Sequence, residues 1–202
     1  MLRIGLTGSI GVGKSFVASV FVELGCHLID ADLTSREVVQ PGTEGLKAVV
    51  KHFGPEVLIA DGTLNRKALG AIIFANEKER EILNSILHPF IIKRQDELLN
   101  ELEQQDPDGI GIVDAALMIE SGGYQRFDKL VVVHCRPEVQ LERLMLRDGL
   151  SRNEAQRRID SQMSQEEKQQ YADYLIDSSD GFEPTRLRTK QVYEELLKLT
   201  RR

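Results

Sequence analysis

Residues 5–15, "GLTGSIGVGKS", constrain this chain more than any other stretch. Gly8, four residues, and then Gly13, Lys14 and Ser15 fit the pattern G-x-x-x-x-G-K-[ST]. Each position has a physical reason. Glycines let the backbone wrap closely around phosphates, and successive N–H groups with the following helix N-terminus present positive dipole ends. Lys14 can reach the β and γ phosphates, and Ser15 can offer its hydroxyl to Mg²⁺. The context agrees. "LRIGLT" before the loop reads as a buried strand, and Phe16, Val17, Val20, Phe21 and Leu24 after it recur at helical spacing until Gly25 stops the helix. "CHLIDAD" then reads as a second strand ending in acids. A strand, loop, helix and strand in this order open an α/β fold.

The rest of the 202-residue chain continues that alternation. From Thr34 to about Gln105 the pattern is almost wholly helical, broken at "QPGT", "FGPE", "ADGT" and "HP", with a weak strand signal only at "EVLIA". Strands return at Ile110 to Asp114, in "DKLVVVHC" and in "DYLIDSS". Between the last two lie "RPEVQLERLMLRD", a helix with Pro137 in its first turn, and a charged, Gln-rich helical stretch from Ser151 to Gln170. "EPTRLRTKQVYEELLKLTRR" is a closing amphipathic helix. Five strands alternate with helices, two helical stretches look inserted, and the length suits one domain.

Composition narrows the function. Leu, Ile, Val and Ala carry most of the apolar content, as expected for helices packed on a parallel sheet. A net charge of −6 argues against nucleic acid as the main partner but not against phosphate ligands, which need only a local basic cluster. Cys26 and Cys135 have no paired spacing, so they read as small core residues. Neither a signal peptide nor an apolar run long enough to span a membrane is expected, so the reading is cytoplasmic.

Ligands of a parallel α/β sheet bind beyond the carboxyl ends of the strands. Asp30 and Asp32 follow the second strand, and Asp114 ends the third. A carboxylate there can hold Mg²⁺ or accept a proton from an attacking hydroxyl. It can equally be a helix cap, and Asp32 could cap a helix beginning near Thr34. Arg143 and Arg147 share a helix face just after a core strand, which suits charge neutralisation during phosphoryl transfer. Arg152, Arg157 and Arg158 read at least as well as a solvated face. Arg66 could clamp a phosphate or an acidic group. His88, before Pro89, interrupts a helical pattern, and a lone histidine there is more often a capping or surface group. His27, His52 and His134 show no ligand-like spacing.

With these pieces in place the chain resembles the dephospho-coenzyme A kinases. The resemblance rests on "GLTGSIGVGKS", "DADLTSREVV", "LNRKALGAIIF", "LNSILHPFI", "IVDAALMIE", "VQLERLMLRD" and "ADYLID", in the family's order over nearly the whole chain. It implies a three-layer P-loop kinase fold with a five-stranded parallel sheet. The nucleotide-binding core would take about 1–32, 108–142 and 172–202, a helical substrate-binding part about 33–107, and a helical lid about 143–171. It implies ATP-dependent phosphorylation of the ribose 3′-hydroxyl of dephospho-CoA, with Mg²⁺ and no obligatory protein partner. By that similarity Asp32 looks like the base, and Lys14 and Ser15 like the phosphate and metal contacts. Gly8, Gly11, Val12, Gly13 and Phe16 would complete the ATP loop. Arg143 looks like a lid arginine on the transferring phosphate, with Arg147 beside it on ATP, and Arg66, His88 and Asp114 look like substrate-side residues. Two positions depart from the family: Ala116 where a proline is usual, and Ser178 where an asparagine is common.

Two other readings compete: a nucleoside or nucleotide kinase with another acceptor, and a nucleotide-gated switch. The chain lacks the Asn-Lys-x-Asp guanine-reading motif of a GTPase, and inserted helices suit acceptor binding better than partner gating.

Overall fold

The apolar runs become the strands of one sheet in the computed structural model, which describes residues 1–200. They are β1 (Leu2–Thr7), β2 (His27–Asp30), β3 (Ile110–Asp114), β4 (Lys129–His134) and β5 (Tyr174–Asp177), in the order β2-β3-β1-β4-β5. β1 pairs in parallel with β3 and β4, and β4 with β5; Leu6 faces Asp114, Thr7 faces Val132 and His134 faces Asp177. The expected parallel α/β sheet is therefore present. Its register brings the carboxyl ends of β1, β3, β4 and β5 to one edge.

The chain divides into two compact units. The first, residues 1–29 and 101–202, contains most of the sheet, α1 (Lys14–Glu23) and α9 (Phe182–Thr200). Ile4, Leu6, Val17, Phe21, Ile112, Val131, Ile176, Val192 and Leu196 meet here with essentially no solvent exposure. Full burial of one such side chain is worth about 1.5–3 kcal/mol. Cys26 and Cys135 belong to this core, as their apolar surroundings suggested.

Three further helices of the first unit are α6 (Pro137–Asp148), α7 (Arg152–Asp160) and α8 (Gln165–Gln169). The single helical stretch expected from Ser151 to Gln170 is thus two helices. Each opens on a serine whose hydroxyl caps the third residue while that glutamate reaches back, Ser151 with Glu154 and Ser164 with Glu167. Leu141 and Leu144 of α6 pack on Ala155 of α7, with Ile10 of the phosphate loop against them.

The second unit, residues 30–100, holds α2 (Ala31–Glu37), α3 (Glu44–Phe53), α4 (Arg66–Ala75) and most of α5 (Glu77–Gln105). Val39, Leu46, Val49, Val57, Leu69 and Leu83 form its core. Thr43 caps α3 and Asn65 caps α4 through their side-chain oxygens. Three expectations change here. "EVLIA" is not a strand: Pro55–Val57 is a single 3-10 turn, and beyond it Leu58 makes only an isolated bridge to Leu64. α2 begins at Ala31, and its cap is Asp30, whose carboxylate accepts from the N–H groups of Asp32 and Leu33; Asp32 lies inside the first turn instead. Finally, α5 runs unbroken through Pro89. Pro removes one intrahelical bond, but Leu83, Leu87, Phe90 and Ile91 pack against the unit's core on both sides of it, and that packing offsets the loss.

Candidate active site

The loop between β1 and α1 is shaped by two left-handed glycines, Gly11 at φ +80° and Gly13 at φ +82°. Any side chain at either position would be strained. Gly8 is needed for a different reason: a Cβ there would stand 2.6 Å from the Val133 carbonyl of β4. Gly13 is also the N-cap of α1. No side chain caps this helix and no acidic residue sits in its first turn, so its N-terminus keeps its positive character for an incoming anion. Val12 is buried, Ser15 is exposed, and Phe16 stacks at 4.8 Å on the ring of Phe182.

Two charged side chains flank this loop. Lys14 forms an ion pair with Asp114 at the end of β3, with both side chains mostly shielded from solvent. Arg143 of α6 lies against Gly13: its guanidinium donates to the Ser178 hydroxyl at 3.0 Å and to the Ser178 carbonyl at 2.7 Å. The same hydroxyl donates to the carbonyl of Val12 at 2.6 Å. Ser178 therefore ties the arginine to the loop. Its sequence signal was only its position directly after the last strand. A third interaction joins the end of β1 to the segment after β3, where Thr7 donates its hydroxyl to the Ala116 carbonyl at 3.2 Å.

The first unit thus brings Gly8, Gly11, Val12, Gly13, Lys14, Ser15, Asp114 and Arg143 together around one loop. Arg147 is not among the loop's contacts. Its guanidinium pairs with Asp148, which also takes Arg158 at 2.7 Å. Arg152, Arg157 and Arg158 are exposed, as a solvated face would be. Asp32, Arg66 and His88 belong to the second unit. Asp32 is exposed, and its carboxylate meets no hydrogen-bond donor among the described residues. Arg66 is the exposed first residue of α4. His88 lines an open groove along α5 with Pro89, Ile92, Lys93 and Asp96.

Chemically, the loop can hold a chain of phosphates. Its amides and helix end would take the oxygens, and Lys14 and Arg143 would supply positive charge on two sides. No group of three metal-ligating side chains occurs among the described residues. The exposed Ser15 hydroxyl beside a phosphate-binding loop is a donor of the kind that fits Mg²⁺, which takes few side chains and otherwise phosphates and water.

The chain is similar to known proteins in sequence and in fold. A family model described as dephospho-CoA kinase matches residues 2–183. A curated protein of that name from Listeria monocytogenes is 46% identical over 184 residues, covering 90% of each chain. Another from Geobacter metallireducens is 43% identical over 195 residues, covering 96% of each. Among solved structures, a Thermus thermophilus protein matches with a TM-score of 0.79 at 30% identity, over 96% of this chain and 97% of that one. A dephospho-CoA kinase from Campylobacter jejuni matches with a TM-score of 0.66 at 28% identity, over 96% of each chain.

Proposed function

The chain belongs to the dephospho-CoA kinase family, and on that premise we propose how its residues move the terminal phosphate of ATP to the ribose 3′-hydroxyl of dephospho-CoA. The observation that carries this reading is the uncapped start of α1 beneath a loop with two left-handed glycines, flanked by Lys14 and Arg143.

The phosphates of ATP lie along the loop from Gly8 to Ser15, their oxygens facing the backbone N–H groups. Lys14 exchanges Asp114 for phosphate oxygens. The Ser15 hydroxyl would hold Mg²⁺, which when bound draws charge from the phosphate oxygens. The Asp32 carboxylate, unengaged by any described donor, takes the proton of the 3′-hydroxyl. The freed oxygen forms a bond to the γ-phosphorus, the bond from that phosphorus to the bridging oxygen breaks, and ADP leaves with the bridging oxygen's electrons. Lys14, the loop amides and Arg143 stabilise the charge that spreads on the moving group. Arg66 and His88 bind the acceptor, on the strength of the family's motif order. ATP as co-substrate and two unbridged cysteines support a cytoplasmic setting. No helix among the described residues is long and apolar enough to cross a membrane.

The test is ADP formation from Mg·ATP with and without dephospho-CoA, with CoA measured as product. Acceptor-dependent ADP with matching CoA is expected. Protein that binds ATP but shows no acceptor dependence would overturn the reading. Asp32→Asn should lower kcat by at least ~10²-fold, the lower end for acid–base catalysis. Near-normal turnover would remove Asp32 from the base role.

A further inference from the structure

Three glutamines, none of them given a role in the site above, connect α6 and α8 with the phosphate loop, and a buried lysine lies in α8. Between α7 and α8, Gln162 accepts the backbone N–H of Ile10 through its Oε1 at 2.8 Å. The backbone carbonyl of Ile10 is taken by Gln140 of α6, whose Nε2 donates at 2.7 Å. Gln140 in turn accepts from Gln165 Nε2 at 2.7 Å, and Gln165 Oε1 accepts the Cys135 N–H at 2.8 Å. Ser9 donates its hydroxyl to the Met163 carbonyl at 3.3 Å. Three residues past the start of α8, Lys168 is fully buried; its ammonium donates to the Ala116 carbonyl at 2.7 Å and pairs with Glu120 at 2.8 Å.

Both backbone groups of Ile10 are therefore held by side chains, and its own side chain sits in the α6–α7 cluster. The next residue is Gly11, the first left-handed glycine, and a Cβ there would meet the Gln140 carbonyl at 3.2 Å. Glycines gain the most freedom when unrestrained, so a loop with three of them keeps its phosphate-ready shape only if it is held in place. β1 holds one end and α1 the other. The glutamines hold the middle. Lys168 matters because a buried ammonium tolerates little displacement from its carbonyl and carboxylate. It anchors α8, and through α8 the position of Gln162 and Gln165.

We infer that Gln162 is a positioning residue for ATP. It fixes the phosphate loop in its binding shape and couples the seating of the α7–α8 segment to nucleotide affinity. The inference rests on residues 8–15 being the phosphate loop. An amide suits position 162 because only its acceptor oxygen is used toward Ile10, so an acceptor-bearing replacement can retain the bond.

The experiment compares Gln162→Met, which keeps length and removes the acceptor, with Gln162→Glu, which keeps an acceptor. KM for ATP, KM for dephospho-CoA, kcat and Tm are read for each. Lys14→Met is carried as a control for the loop itself. Gln162→Met should raise KM for ATP by about tenfold, as expected for one unsatisfied backbone group in a binding loop. Its KM for dephospho-CoA should stay within about twofold and its kcat at saturating ATP should recover, with Gln162→Glu lying nearer the parent in ATP affinity. An unchanged KM for ATP in Gln162→Met overturns the inference. So does an equal loss of Tm and of both KM values in the two variants, which is the mark of a purely structural role. If Gln162→Met does not fold, Gln162→Glu decides alone: a folded protein with ATP affinity more than about a hundredfold weaker overturns the inference, and affinity within about tenfold upholds it. Should Lys14→Met leave ATP binding intact, the phosphate-loop reading itself fails, and that result is separable from any effect at Gln162.

Discussion

Lys14 begins with a partner. Its pair with Asp114 is largely shielded from solvent, so removing only the lysine takes its cation from a carboxylate in a low-dielectric place. Lys14→Met should destabilise the fold by about 1–3 kcal/mol, and Lys14→Met combined with Asp114→Asn should regain most of that loss. Turnover should stay low in both, because the phosphate contact is gone either way. Thermal melts beside the ADP assay separate the two effects. The cysteines offer a second check. Burial pushes the Cys26 thiol up to about 12, and burial also raises Cys135, so neither carries appreciable thiolate near neutral pH. A thiol reagent at about pH 8 should label neither in the native protein and both in denaturant. At this scale the sequence showed the chemistry of the loop clearly, because glycine, lysine and serine spacing is local. It did not show which aspartate of "DAD" caps α2. Either residue can cap, and only the start of the helix at Ala31 decides for Asp30. Nor did it show Ser178 or Gln162 at work, since their partners lie 166 and 152 residues away.

Among the elements, α5 is one whose local signal misled. A proline in a helix interior costs ~3 kcal/mol in isolation, and a break after His88 was the natural expectation. Packing on both sides of Pro89 outweighs that cost. Pro89→Ala should therefore stabilise the protein, by about 1–3 kcal/mol, because the new N–H can donate within the helix. A melting temperature that falls would mean the proline bends the helix to fit its neighbours. The opposite error occurred from Ser151 to Gln170, where one helix was expected and two exist. Here a signal was present: serine followed three residues later by glutamate occurs twice, at Ser151 and at Ser164, and each marks a helix start.

Across the whole molecule, several carboxylates that face solvent are held in their charged form by donors. The terminal amine and Arg3 lower Glu103, Arg147 lowers Asp148, and the Ser151 and Ser164 caps lower Glu154 and Glu167. A carboxylate depressed on folding adds stability above its unfolded value, and that stability disappears as pH falls through the folded value. Melting temperature should thus be flat from about pH 7 to 5 and decline below about pH 4, with a gentle slope because these groups face solvent. A decline beginning near pH 6 would point to histidines instead. Fold class was legible at this scale from the alternation of buried strands and amphipathic helices. Strand order was not, because a parallel ladder is built from pairings that no local pattern records.

That ladder carries a consequence for how the protein is made. β1 lies between β3 and β4, with Leu2 opposite Ile110 and Ile4 opposite Lys129. On a ribosome the amino-terminal strand emerges without either neighbour, while residues 30–100 can assemble around a core of their own. At a synthesis rate of ~5–20 residues per second, the wait for both neighbours is on the order of ten seconds. The phosphate loop, translated before both strands that flank β1, is thus late to take its working shape.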